Sequence, residues 1–176
     1  MTTLPVHVCS GQSNMKKMVP VLRSLNSDYE FLDGAKGATS ITQWQRGGEL
    51  FGNLVTLTRQ AIVDGHEIRA LFVSQGESDT YSLQRAQAWK LNFLKFVAAF
   101  RTDTGLLGLH VIYAQLGAPW GSPHVDIVKA AQAQMQGNPT LSMVTLDHLS
   151  QDGPHYVDYV IPARLFMAVC DKVLHI

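Results

Sequence analysis

Short apolar runs alternate along this chain with stretches whose apolar positions recur every three or four residues. Residues 5–9 read as a first buried strand, 29–32 as a second that ends at Asp33-Gly34, 68–73 as a third, 109–116 as a fourth and 141–146 as a fifth. Residues 13–25, 52–63, 81–100, 125–135 and 160–174 have helical spacing. In 52–63 the pattern runs through Leu54, Leu57, Ala61 and Ile62 until Asp64-Gly65 stops it. The longest, 81–100, sets Leu83, Ala86, Trp89, Phe93, Phe96, Val97 and Phe100 on one stripe, a spacing that predicts core packing. Pro162 falls in the first turn of the last helix, where proline is tolerated. Residues 35–48, rich in Gly, Ser and Thr, are expected to form a loop.

Strand and helix in alternation predict an α/β protein, a three-layer α/β/α sandwich around a five-stranded parallel sheet, as one domain over residues 1–176. Ligands of such sheets gather at the carboxyl ends of the strands. Ser13 follows the first predicted strand, Gln75-Gly76-Glu77 the third, and Asp152 and His155 the fifth, so these distant residues are expected at one edge.

Composition narrows the picture without redirecting it. Hydrophobic residues make up 46% of the chain and charged residues 16%, a balance that favours a packed core over disorder. Lys plus Arg equals Asp plus Glu at 14 each, with no run of like charge, so no phosphate-binding surface and no nucleic-acid partner are expected. No apolar stretch reaches the roughly 18 residues of a membrane span, and no membrane partner is expected. The first residues lack the basic segment and apolar stretch of a signal peptide. The expectation is a protein kept inside the cell, or one domain of a larger cell-surface or phage-associated protein. Oligomeric state is not legible. Cys9 and Cys170 make neither a disulfide framework nor a zinc motif and read as buried free thiols.

The candidate chemistry lies near the two ends. Gly11-Gln12-Ser13-Asn14-Met15 sits at a strand-to-helix turn, and Asp152-Gly153-Pro154-His155 lies near the C-terminus. A serine on a tight turn, with an Asp three residues before a His, supplies a nucleophile, a base and an orienter for acyl transfer through a covalent ester. Taken alone, Ser13 reads equally well as a helix N-cap, and Met15 breaks the Gly-x-Ser-x-Gly elbow. Glu77 and Asp79 together suggest a glycosidase pair. The simpler reading makes Glu77 a buried acid bonded to the Ser13 turn and Asp79 a cap for the following helix, with Gln12 and Asn14 bracing the turn. Trp44, Trp120 and His124 fall in loops near the active edge, Trp120 within a Gly- and Pro-rich stretch from Gly117 to Pro123. They would either hold a sugar ring or acyl group, or simply anchor the loops. Asp147, His148, Asp152 and His155 form an alternative constellation with ligands suited to zinc or manganese. It leaves Ser13 unexplained, and no metal or other cofactor is expected.

Four blocks in this order resemble the SGNH (GDSL-like) hydrolases, in particular the sialate O-acetylesterase-like branch that includes carbohydrate esterase family 6. Gly11-Gln12-Ser13-Asn14 matches the nucleophile block. Lys36-Gly37-Ala38-Thr39-Ser40-Ile41, followed by Trp44, is similar to the Gly-Gly-Thr-Ser-Ile block, with Ala38 in place of the second glycine. Ser74-Gln75-Gly76-Glu77-Ser78-Asp79 is similar to the Gln-Gly-Glu-Ser-Asp block, and Asp152-Gly153-Pro154-His155 to the Asp-x-x-His block. The resemblance implies a flavodoxin-like SGNH hydrolase fold, Ser13 as nucleophile, His155 as base, and Asp152 hydrogen-bonded to the other imidazole nitrogen. It also implies an oxyanion hole from the Ser13 and Gly37 backbone N–H groups and the Gln75 side chain, where many SGNH hydrolases use Asn. The implied substrate carries short acyl groups, foremost O-acetyl on a carbohydrate or another small ester. A lipase-like or thioester hydrolase and a non-catalytic carbohydrate-binding module are the alternatives.

Overall fold

In the computed structural model, which describes residues 3–117 and 120–174, five strands form one parallel sheet. These are β1 (Val6–Gly11), β2 (Glu30–Asp33), β3 (Ile68–Ser74), β4 (His110–Ala114) and β5 (Leu141–Val144), in the spatial order β2-β1-β3-β4-β5. Every pairing is parallel, with Cys9 opposite both Asp33 of β2 and Phe72 of β3. The helices are α1 (Ser13–Leu25), α2 (Glu49–Val63), α3 (Leu83–Thr104), α4 (Val125–Ala133) and α5 (Val160–Leu174).

The two-residue period of the strands sorts their side chains into two cores. Val6, Val8, Leu71, Val73, Val111 and Tyr113 point to one face, where Phe51 and Leu54 of α2, the Trp89–Phe100 stripe of α3 and Val128 of α4 cover them. Cys9, Ala70, Phe72, Ile112 and Ala114 point to the other, covered by Met15, Met18 and Leu22 of α1 and by Phe166 and Cys170 of α5. Helices therefore lie on both faces, the three-layer arrangement the alternation predicts. Both cysteines are buried and unpaired, and burial pushes the Cys9 and Cys170 thiols up, the latter to about 12.

The sequence places most elements within a few residues of where they stand. Three departures bear on the site. The 35–48 loop contains a 3-10 helix, Ile41–Trp44, with a reciprocal Ser40–Gln43 cap. The long third helix begins at Leu83, two residues later than its apolar pattern suggests, because Ser82 caps it by accepting the Arg85 N–H. The residues before it, Glu77–Tyr81, form a separate 3-10 helix. Finally, Gln151–Asp152 and His155–Tyr156 pair as a small antiparallel hairpin, β6 and β7. Gly153 has φ +59 there, and proline fixes a negative φ at the next position, the φ pattern of a two-residue type II′ turn.

Strand order reverses between β1 and β3, and the crevice outside their carboxyl ends is where this topology opens to a ligand. Gly11 makes the junction possible. It ends β1 at φ +116, and a Cβ there would stand 2.0 Å from the Ser74 carbonyl oxygen. That carbonyl instead accepts the Gln12 N–H at 2.9 Å, so β1 can turn directly into α1.

Candidate active site

Ser13 is the first residue of α1, carried to the sheet edge by the Gly11 turn. His155 is brought there by the β6–β7 hairpin, and its Nε2 lies 2.9 Å from Ser13 Oγ. Both side chains are half-buried in a cleft of about 380 Å³ lined also by Gln12, Gly37, Ala38, Glu77, Ser78, Tyr81 and Pro154. Burial lowers the His155 pKa below the ordinary imidazole value, and the nearby Lys17 ammonium lowers it further, while the Asp152 carboxylate opposes both. The ring is therefore a free base at neutral pH. An imidazole in that state, at hydrogen-bond distance from a hydroxyl, can take the proton of that hydroxyl as it attacks.

Two backbone donors lie close to Ser13 Oγ, on Ser13 itself and on Gly37 beside it. Gly37 packs directly on Ser13: a Cβ on Gly37 would touch Ser13 Cβ at 3.8 Å. Among the described residues, neither the Ser13 N–H nor the Gly37 N–H has a backbone acceptor. Ser13 N–H also belongs to the first turn of a helix, where the backbone dipoles favour negative charge. The pair is suited to an oxyanion forming on a carbonyl attacked by Ser13.

The expected third donor is not available. Gln75 is buried, and its Nε2 donates to Thr39 O at 3.1 Å and to Asp79 Oδ2 at 2.9 Å, while its Oε1 accepts from Trp89 Nε1 at 2.7 Å. All the bonding capacity of its amide nitrogen is spent inside the protein, and it does not line the cleft. Its work is to hold the Gly37 strap onto the end of β3. Asp79 joins that work instead of capping α3: its two carboxylate oxygens accept the Ile41 N–H at 3.0 and 3.2 Å. The cap falls to Ser82.

Glu77 is buried beneath the Ser13 turn. Its carboxylate accepts from Gln12 Nε2 and, at 2.6 Å, from Asn14 Nδ2. Burial raises its pKa, with those two amides working against the rise. Gln12 Oε1 in turn accepts from Ser78 Oγ at 2.8 Å. Asn14 reaches further, donating to Pro154 O at 2.8 Å and accepting from Tyr159 O–H at 2.8 Å. The residues flanking Ser13 thus tie α1, the 77–81 segment, the hairpin and α5 together. Glu77 and Asp79 are internal struts and do not face each other across a cleft as a glycosidase pair must.

Asp152 stands opposite His155 in the hairpin register, exposed to solvent. Among the described residues no hydrogen bond joins the two side chains; the carboxylate acts on the imidazole through its charge. This departs from the expected bond to the second ring nitrogen. The hairpin alternation sends paired side chains to one face but leaves the short Asp carboxylate at the solvent rim.

The three loop residues expected at the substrate are displaced from it. Trp44 is wholly buried, its ring edge-on to Phe96 and its Nε1 donating to Thr39 Oγ1 at 3.0 Å. It anchors the strap from behind. Trp120 is partly buried against the core and donates through Nε1 to Tyr81 Oη at 3.3 Å. His124 precedes α4, and its N–H donates to Thr80 O at 3.2 Å. Ala118 and Pro119 of the same stretch, like His175 near the end, lie outside the described residues. The cleft wall that sequence reasoning missed is Tyr81. Its apolar spacing with Leu83 and Ala86 hides it in a helix, whereas Ser82, a strong N-cap type, is the signal that the helix starts after it.

The alternative metal constellation does not assemble. Asp147 faces Lys129 at 4.0 Å and His148 at 3.9 Å, while His155 is bonded to Ser13. Among the described residues, no group of three or more His, Cys, Asp or Glu side chains is placed to share an ion.

The profile of a family described as carbohydrate esterase, sialic acid-specific acetylesterase, matches residues 26–158. That match begins after the nucleophile block, so the place of Ser13 rests on geometry. A probable carbohydrate esterase of Arabidopsis thaliana is 32% identical over 98 residues, 56% of this chain but only 37% of the plant protein. The chain thus aligns with well under half of that curated relative. A solved Arabidopsis thaliana structure superposes with a TM-score of 0.81 at 18% identity, covering 97% of this chain and 98% of that one. A carbohydrate acetylesterase of Xanthomonas citri superposes with a TM-score of 0.80 at 10% identity, covering 97% of this chain and 56% of that one. At such identities the superpositions speak for the fold, which is that of the SGNH/GDSL hydrolases. With the family profile matched over more than half of its length, the chain belongs to the sialic acid-specific acetylesterase family of carbohydrate esterases.

Proposed function

We propose that the protein removes O-acetyl groups from a carbohydrate through an acyl-enzyme on Ser13. The observation that carries this reading is the 2.9 Å contact between Ser13 Oγ and His155 Nε2, made beside two backbone N–H groups that have no backbone acceptor among the described residues. Ser13 Oγ attacks the acetyl carbonyl as its proton passes to His155 Nε2. The carbonyl oxygen becomes an oxyanion held by the Ser13 and Gly37 N–H groups, each such donor being worth roughly 2.7–4 kcal/mol of barrier. Collapse breaks the ester C–O bond, and the imidazolium returns its proton to the departing sugar hydroxyl. Water then enters and adds to the acyl carbon as His155 takes its proton, the same oxyanion site serving again; collapse breaks the bond from that carbon to Ser13 Oγ, the imidazolium returns the proton to Oγ, and acetic acid leaves. Asp152 favours the imidazolium formed in each half-reaction by its charge.

The cleft of about 380 Å³, walled on one side by the Ala38 methyl, suits a short acyl group better than a lipid chain. Membership of the acetylesterase family supports the same choice. The test is hydrolysis of 4-nitrophenyl acetate and of a panel of acetylated sugars by wild type and Ser13→Ala. Ser13→Ala is expected to lose at least about 1,000-fold in kcat while its thermal unfolding is unchanged. A serine-directed phosphonate should add covalently to wild type alone. Turnover retained by Ser13→Ala overturns the mechanism, and turnover of simple esters with none on any acetylated sugar overturns the substrate class.

A further inference from the structure

We infer that Tyr81 is the platform on which the sugar ring of the substrate stacks. This rests on the esterase reading above and deepens it. Tyr81 lines the same cleft as Ser13 and His155, yet 59% of its surface is open to solvent. A single exposed aromatic needs no explanation by itself. What sets Tyr81 apart is how much structure holds it in place. Its hydroxyl accepts the indole N–H of Trp120, which is itself packed on the core. The residue before it, Thr80, is stitched to the same loop twice, through its hydroxyl to Ser122 Oγ at 2.5 Å and through its carbonyl to the His124 N–H at 3.2 Å. Thr80 Oγ1 also bonds Glu77 O at 2.6 Å, closing the 3-10 turn that ends at Tyr81.

An aromatic ring fixed at the open side of a cleft loses little entropy when a ligand lies on it. Its position fits the part of the substrate that remains in solvent. The acetyl group is bound inward, at Ser13 and Gly37, so the piece reaching Tyr81 is the leaving alcohol. A pyranose ring presents a face of C–H groups that packs on an aromatic surface, while its hydroxyls stay at the wet rim. Trp120 holds Tyr81 through its indole N–H, and the His124 backbone N–H braces the preceding Thr80.

The discriminating measurement is the ratio of kcat/KM for xylose tetraacetate to kcat/KM for ethyl acetate, an ester with no ring. Tyr81→Ala should lower this ratio at least tenfold, chiefly by raising KM for the sugar. Tyr81→Phe, which keeps the face and loses only the bond to Trp120, should lower it less than threefold. A direct readout uses Ser13→Ala, in which xylose tetraacetate binding is followed by ligand-observed NMR. That signal should vanish in the Ser13→Ala/Tyr81→Ala double variant. A ratio within threefold of wild type in Tyr81→Ala, or undiminished binding in the double variant, overturns the assignment. Failure of the Ser13 mechanism would show separately, as hydrolysis that survives Ser13→Ala whatever Tyr81 does.

Discussion

Asn14 Nδ2 donates to the carbonyl of Pro154 across 2.8 Å, joining the residue next to Ser13 to the residue next to His155. Ser13 and His155 lie 142 positions apart in sequence, and this bond is a second link between their two segments beside the contact of the two side chains themselves. The same side chain serves Glu77 and Tyr159. Asn14→Ala should leave three partly or wholly buried polar groups without their partner, at a cost of about 3 kcal/mol. Asn14→Asp should be worse, since it sets a carboxylate against Glu77 and the Pro154 carbonyl. Thermal unfolding ranks the two; an Asp variant at least as stable as the Ala variant at pH 7 refutes the role.

The acid limb of kcat/KM should reveal the charges around His155. Since burial and Lys17 lower its pKa, the limb is expected below pH 6.5. Asp152→Asn removes the charge that raises the pKa and should move the limb further down. Lys17→Gln removes one that lowers it and should move the limb up. Shifts in the same direction, or none, from pH–rate profiles of the two variants would refute this electrostatic picture.

Acid should also weaken the fold through His7. Its ring is buried on β1, stacked at 4.7 Å on Phe72 and tilted against Tyr29 and Phe31, and burial lowers its pKa to about 4. The unfolded chain takes up this proton near pH 6.5 and the native protein only near 4. Native stability from this group is complete above pH 6.5 and is lost as pH falls through the interval, about 3 kcal/mol in all. Denaturant titrations between pH 7 and 4 should show that loss, and His7→Phe should flatten it. An unchanged slope in His7→Phe contradicts the assignment.

Ala38 holds φ +60, the one non-glycine residue with positive φ among those described. A left-handed alanine costs about 1–2 kcal/mol, and glycine gives back part of that in unfolded-state entropy. Ala38→Gly should therefore stabilise the protein by about 0.5–1 kcal/mol, seen as a melting temperature raised by about 2 °C. A lower melting temperature would show that the methyl group contributes packing that outweighs the strain.

The sheet and helices were legible because their residues report local physics: period two in β3, period 3.6 in the Trp89–Phe100 stripe, a glycine where the chain must turn. That Ser13 and His155 come together was legible because each sits on a turn that presents its side chain at one edge of the sheet. The roles of Gln75 and Asp79 were not, since a buried amide and an exposed one are the same letter, and only the tertiary bonds to Thr39, Ile41 and Trp89 tell them apart. Trp44 misled for a related reason: a Gly- and Thr-rich neighbourhood suggests an exposed loop, but the strap folds back and buries the indole against Phe96. That no hydrogen bond joins Asp152 to His155 among the described residues was hidden, because a spacing of three does not say whether a hairpin carries its side chains inward.

The Gly11–Ser74 contact has a consequence for how such enzymes diversify. With no room for even a methyl group between the two strands, the seat of the Ser13 hydroxyl is a fixed datum, closed to innovation. Under the proposed function, new substrate preferences must then be written elsewhere, in the loop around Ala38 and in the segment next to Tyr81, where a changed side chain alters the doorway without disturbing the hinge on which it hangs.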